Sequence, residues 1–179
     1  PFPPHKIKDV EERLGGIFIH DYGLTETMGD LSCQDPDSIR KPGSVGKPMP
    51  GMDVRIVDDN GKELPRGQWG EITVKGWGVM KGYLNRPEET RDVLRNEFLY
   101  TGDIGYLDDD GDLFITDRKK DMILRGGENI YPVEVENAFY KMSAIAEVSV
   151  FGIPDQKYGE EVVACVVLND NQSMTQDEI

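Results

Sequence analysis

Apolar positions recur along this chain at two periods, and together they describe short strands with a few helices between them. Ile7, Val10 and Leu14 fall three and four residues apart, which predicts a helix over residues 6–14 that Gly15-Gly16 stops. Ile17-Phe18-Ile19 then reads as a short buried strand, and residues 30–50, rich in Asp, Pro, Ser and Gly, read as loop. Residues 54–57 alternate, Asp59-Asn60-Gly61 turns the chain, and residues 71–74 return after the turn at Pro65-Arg66-Gly67. Pro87-Glu88-Glu89-Thr90 opens a second helix: Pro suits a first turn, and acids suit the positive end of the helix dipole. Residues 104–107 and 113–116 flank Asp108-Asp109-Asp110-Gly111 as the arms of a hairpin.

The pattern changes at Arg118-Lys119-Lys120. Residues 122–124 read as a strand and Gly126-Gly127 as a turn. Residues 132–142 read as a helix with Val135, Ala138, Phe139 and Met142 on one stripe. Residues 148–151 and 162–168 read as strands around a Gly152-Ile153-Pro154-Asp155 loop. Strand, helix, strand, strand describes a small α+β module. The fold class is α+β, with a boundary near Lys120 dividing 1–119 from 120–179.

Composition narrows the partners. Lys and Arg number 20 against 34 Asp and Glu, and the net charge of −14 repels nucleic acid and anionic membranes. An anionic ligand must therefore be met by local donors. Cys33 and Cys165 form no metal-spaced or disulfide pattern, which points to a reducing, cytoplasmic compartment. No apolar run is long enough to span a bilayer. The Pro-Phe-Pro-Pro start has no signal-peptide character and no initiating Met, and it reads as a piece of something longer. Two motif-like runs fail. The acidic run at 108–112 has Leu113 where a calcium loop needs glycine and Lys119 where it needs its closing Glu, so it reads as a solvated turn. Gly76-Trp77-Gly78 with Gly82 misses the dinucleotide spacing, and no helix follows.

The chemistry-bearing residues come in order: Tyr22-Gly23-Leu24-Thr25-Glu26, Tyr100-Thr101-Gly102-Asp103, Arg118-Lys119-Lys120-Asp121, and Arg125-Gly126-Gly127-Glu128-Asn129. An aromatic beside glycine can lie against a base, a carboxylate can accept from ribose hydroxyls, and a hydroxyl can donate to phosphate. An acid beside that hydroxyl can hold Mg²⁺ together with phosphate oxygens. Plainer readings use the same residues. Thr25 would cap a helix turn with Glu26 in its first turn, Asp103 would cap a turn, 118–120 would be surface charge, and Gly126-Gly127 would close a hairpin.

Taken together, these segments resemble the adenylate-forming superfamily: acyl-CoA synthetases, peptide-synthetase adenylation domains and luciferases. The likeness also takes in Gly70-Glu71-Ile72, Gly82-Tyr83, Asp117 to Pro132 and Gly152-Ile153-Pro154-Asp155, and so covers essentially the whole chain. It implies a strand-rich, barrel-like subdomain followed by the start of a mobile C-terminal domain. It implies that Tyr22 stacks on adenine with Asp21 along the base edge, that Thr25 meets the α-phosphate, and that Glu26 meets Mg²⁺. Asp103 would accept from both ribose hydroxyls, with Arg118 supporting ribose or phosphate. Lys120 would be the hinge, and Gly126-Gly127 would lie on the loop that lines the pantetheine tunnel. Lys120 and the run from Arg125 to Pro132 resemble the acyl- or aryl-CoA ligase branch, whose substrates would be a carboxylic acid, ATP and coenzyme A. Alternatives are a fatty-acyl-AMP ligase, a peptide-synthetase adenylation domain, or a non-catalytic nucleotide-binding module.

Two of the superfamily's pieces are not in the sequence: the Ser/Thr/Gly-rich, lysine-ended phosphate loop and the C-terminal catalytic Lys. The expectation is a fragment with no ligase activity of its own, prone to self-association through uncovered apolar faces.

Overall fold

The computed structural model describes residues 4–170 and 172–175, and no helix among them is long and apolar enough to cross a membrane. The chain divides into two compact units, residues 1–115 and 116–179. The architecture is mixed α+β and rich in strands.

The first unit opens with helix α1 (Pro4–Leu14). A three-stranded antiparallel sheet follows, in the order β1 (Asp21–Leu24), β2 (Gly29–Cys33), β3 (Lys47–Pro48). The expected strand at residues 17–19 does not form. Pairing starts at Asp21, opposite Cys33, because the backbone of His20 is already engaged by Gln34. Nor are residues 30–50 all loop: Leu31 and Ser32 in β2 are wholly buried, and a strand that buries a serine carries no alternating signal.

A second, curled sheet runs β4 (Met52–Val57), β5 (Gly70–Gly76), β7 (Phe98–Leu107), β6 (Leu94–Arg95), and β8 (Leu113–Arg118) also pairs with β7. The β4–β5 ladder runs unbroken from Met52 opposite Gly76 to Val57 opposite Glu71, as the alternation required. Helix α2 (Pro87–Val93) starts at the expected proline. Leu31, Ile72, Val74, Leu99 and Leu113 form the floor of one core shared by both sheets.

The acidic turn after β7 is more than a solvated turn. Asp108, Asp110 and Asp112 converge on the Lys41 ammonium at 2.5, 2.6 and 3.2 Å, and Asp112 is buried. Those hydrogen bonds hold Lys41 well above the ordinary lysine value. Burial pushes the Asp108 carboxyl up, but the Lys41 ammonium and nearby amides outweigh it and bring it below the ordinary carboxylate value. A carboxyl lowered on folding adds stability that is complete above its unfolded value, near ~3.9, and is lost as pH falls through the lower folded value. Replacing Lys41 with Met is therefore expected to lower the urea midpoint at pH 7, with the deficit against wild type shrinking below about pH 4. An equal deficit at both pH values would contradict this.

In the second unit the sheet order is β10 (Glu128–Ile130), β9 (Ile123–Arg125), β12 (Gly159–Leu168), β11 (Ile145–Asp155). Helix α3 (Pro132–Phe139) supplies Val135 and Phe139 to a core with Ile123, Ile145, Val148 and Val150. Two expectations shift here. The helix ends before Met142, and Gly152-Ile153-Pro154-Asp155 is the end of β11 rather than a loop, paired with Val162 through Gly159.

Candidate functional site

The Tyr100-Thr101-Gly102-Asp103 run lies on a bulge. Glu71 pairs with Ile104 and Thr73 with Tyr100, so Thr101, Gly102 and Asp103 of β7 face Ile72 alone on β5. Such an insertion redirects side chains that a regular pleat would send elsewhere. Gly102 turns the bulge at φ 74°, a region that glycine enters without penalty. The Thr101 hydroxyl donates to the Ile72 carbonyl at 2.8 Å and accepts from the Asp103 amide at 3.1 Å, while Glu71 accepts from the Gly102 amide at 3.2 Å. So held, the Asp103 side chain is buried, and it accepts from the Tyr22 phenol at 2.5 Å. This hydrogen bond joins two segments 81 residues apart.

Tyr22 belongs to β1, whose register breaks between Tyr22 and Gly23. At Gly23 a Cβ would sit 2.1 Å from the Gly29 carbonyl oxygen, so the close return of β2 requires glycine there. A single tight 3-10 turn over Thr25–Thr27 follows. Its two threonines differ in role. Thr27 is buried, and its hydroxyl accepts from the Leu24 amide at 2.9 Å and reaches the Gly29 carbonyl at 2.7 Å. Thr25 is exposed and faces an open cleft of about 510 Å³ lined also by Asp21, Tyr22, Gly23, Leu24, Gly29 and Asp30. The Glu26 carboxylate accepts from the Tyr83 phenol at 2.7 Å.

The cleft is acidic at its rim. A hydrogen bond with Asp21, then burial and the Asp21 charge, holds the Asp30 carboxyl above the ordinary carboxylate value. Burial, then Asp21, Asp30 and Asp35, pushes the Cys33 thiol up, which disfavours the thiolate. With Asp21 and Asp30 lining the cleft and Glu26 following Thr25 in the chain, a phosphate chain entering here would need a cation beside it. The donors are carboxylate and hydroxyl oxygens, the set a hard divalent ion such as Mg²⁺ prefers.

Arg118, Lys120, Gly126 and Gly127 lie in the second unit. Arg118 ends β8, and its amide donates to Asp117 at 2.8 Å. Lys120 lies in a short turn over Lys119–Asp121 and lines a 400 Å³ cleft with Asp117, Asp121, Glu136 and Glu160. Gly126 and Gly127 form the tip of the β9–β10 hairpin at φ 61° and 92°, the mirror-image turn that matches strand twist. Beside the tip, Arg125 donates to Glu161 at 2.6 and 2.9 Å and lies 4.3 Å over the Tyr158 ring.

Sequence reasoning did not single out Tyr83, Asp30 or the steric need for Gly23. The Tyr83 signal was present in Gly82-Tyr83 and a hydroxyl seven residues on at Thr90, but only the fold pairs it with Glu26.

A profile of the AMP-binding enzyme family matches residues 1–84, and one of the AMP-binding enzyme C-terminal domain matches residues 134–179. The chain is 45% identical over 178 residues to a long-chain-fatty-acid–CoA ligase of Bacillus subtilis, covering 98% of this chain and 32% of that protein. It is 42% identical over 166 residues to a feruloyl-CoA synthase of an Amycolatopsis species, covering 92% of this chain and 34% of the relative. Its fold matches ATP-bound MatB from Rhodopseudomonas palustris with a TM-score of 0.94 at 37% identity, over 99% of this chain and 36% of that one. The chain spans about a third of the length of the relatives it matches.

Proposed function

The chain belongs to the AMP-binding, adenylate-forming enzyme family, and from that premise we propose that it is the ribose-side wall and the start of the mobile domain of an AMP-forming acyl-CoA ligase. The observation that carries this reading is the hydrogen bond between Tyr22 and Asp103, which sets a phenol ring and a buried carboxylate beside the Thr25 cleft. The ring offers a face to adenine, and Asp21 lies next to it for the base edge. A carboxylate such as that of Asp103 can accept from two ribose hydroxyls. Thr25 would donate to the α-phosphate, and Glu26 would hold Mg²⁺. When bound, that ion draws charge from the phosphoryl group in the transition state.

The reaction would run in two displacements. A carboxylate oxygen of the acid attacks the α-phosphorus of ATP and pyrophosphate leaves. The coenzyme A thiol, losing its proton, then attacks the acyl carbon and AMP leaves. Between them the unit after about residue 120 would turn on Lys120, bringing the Gly126-Gly127 tip to the thiol's path, with Arg118 near the ribose or phosphates. The 179 residues alone would form no thioester, since they contain no lysine-ended phosphate loop. The relatives' names span long-chain fatty acids and an aryl acid.

Full-length protein assayed against a panel of carboxylic acids is expected to release pyrophosphate with one of them, and AMP only when coenzyme A is present. AMP release with an amine or carrier-protein thiol as the acyl acceptor, and none with coenzyme A, would favour the peptide-synthetase alternative. No pyrophosphate from any acid would favour the non-catalytic module.

A further inference from the structure

One segment grips Glu26 at two points. The Met80 amide donates to the Glu26 carbonyl at 2.8 Å, and the Tyr83 phenol donates to its carboxylate at 2.7 Å. The segment is itself fixed. Gly78 lets it run against the tight turn, since a Cβ there would sit 2.5 Å from the Thr27 carbonyl oxygen. The Tyr83 amide donates to the Thr90 hydroxyl at 2.9 Å, and that hydroxyl donates to the Arg86 carbonyl at 2.7 Å. A Cβ at Gly82 would meet the Thr90 side chain at 2.7 Å, so the loop and the first turn of α2 close tightly on each other. Tyr83 is thus a strut with its root clamped by Thr90 and its tip on Glu26.

We propose that Tyr83 is a positioning residue that fixes the Glu26 carboxylate for the divalent cation, with Thr90 setting the strut. This rests on the reading of Glu26 as the carboxylate that meets Mg²⁺. A carboxylate held in one rotamer by a phenol has already lost the freedom it would otherwise give up on meeting the ion. The hydrogen bond leaves the second carboxylate oxygen for the metal. Consistent with the contact, the hydrogen bond to Glu26, then burial and the Glu26 charge, raises the Tyr83 phenol above the ordinary tyrosine value.

The test is the Mg²⁺ dependence of pyrophosphate release by full-length protein at fixed ATP. Tyr83→Phe is expected to raise the half-saturating Mg²⁺ about tenfold, as loss of a hydrogen bond to a charged group implies, with the deficit shrinking at saturating Mg²⁺. Thr90→Ala should shift it in the same direction by less. A simple packing role would lower activity without moving the Mg²⁺ requirement, and that result overturns the proposal. Glu26→Gln separates the two layers. If it shifts the Mg²⁺ dependence and Tyr83→Phe does not, positioning fails and the reading of Glu26 stands; if Glu26→Gln leaves the dependence unmoved, both fail. A second readout needs no activity. In the 179-residue chain, NMR titration of ring-labelled tyrosine should show the Tyr83 phenol titrating at lower pH in Glu26→Gln than in wild type. An unmoved phenol overturns the contact itself.

Discussion

Replacing Asp103 with Ala in the full-length protein is expected to cut kcat/KM for ATP by about a hundredfold or more, the largest single loss predicted for any side chain at this site. On the proposed reading two ribose hydroxyls would lose their acceptor, and each hydrogen bond to a charged group contributes about 1.5–3 kcal/mol. The Tyr22 phenol also loses the group that orients it. Asp103→Asn keeps the shape and one acceptor oxygen, so it should fall between wild type and alanine. Most of the loss should appear as a raised KM for ATP, because a ribose held by Asp103 would be gripped alike in ground and transition states. Steady-state kinetics at varied ATP check this. An Asp103→Ala enzyme with an unchanged KM for ATP would remove Asp103 from the nucleotide site.

The largest structural effect belongs to Gly23→Ala. The added methyl would stand 2.1 Å from the Gly29 carbonyl oxygen, 2.5 Å from its carbon and 2.8 Å from the Asp30 Cα. All three are backbone atoms of the strand that β1 must pair with, so no side chain can swing away. The strands must separate, at a cost of about 3 kcal/mol, the upper end of what forced overpacking takes from a core. For a domain whose total stability is ~5–15 kcal/mol, that is a large share. Urea denaturation of the 179-residue chain, followed by circular dichroism, would show a midpoint well below wild type. Because Tyr22 and Thr25 flank the displaced residue, nucleotide affinity should fall with it. An unchanged midpoint would mean that β2 accommodates the methyl and that Gly23 is not required for closeness.

How far the sequence announces this fold depends on which physical signal each element carries. Residues 54–57 alternate and the β4–β5 ladder forms where the sequence places it, and the hairpin about Asp108 to Gly111 joins β7 to β8 as expected, but β7 starts at Phe98, six residues before the expected arm. Strand β2 escapes notice because it starts with Gly29-Asp30 and buries Ser32 as completely as Leu31. The bulge at Thr101-Gly102-Asp103 is invisible to periodicity, since an inserted residue breaks the period that would reveal it. Tyr22 and Asp103 were picked out as separate motifs from their chemistry and their resemblance to a family. That one donates to the other is a property of how two sheets meet. Tyr83 was legible only as part of a motif, and its reach to Glu26 depends on a turn whose geometry Thr90 and Gly82 set together.

The turn after β7 has one more consequence. Loops built from alternating aspartates ordinarily borrow their positive centre from the solution, and their order then follows the supply of that ion. Here the centre is a side chain, Lys41, tethered through the backbone some seventy residues upstream of the acids it gathers. A tethered charge cannot be chelated, diluted or exchanged. The junction between the 34–46 connection and the β7–β8 hairpin should hold its shape equally well in calcium-rich and calcium-free media, and only acid or a change to Lys41 itself should loosen it.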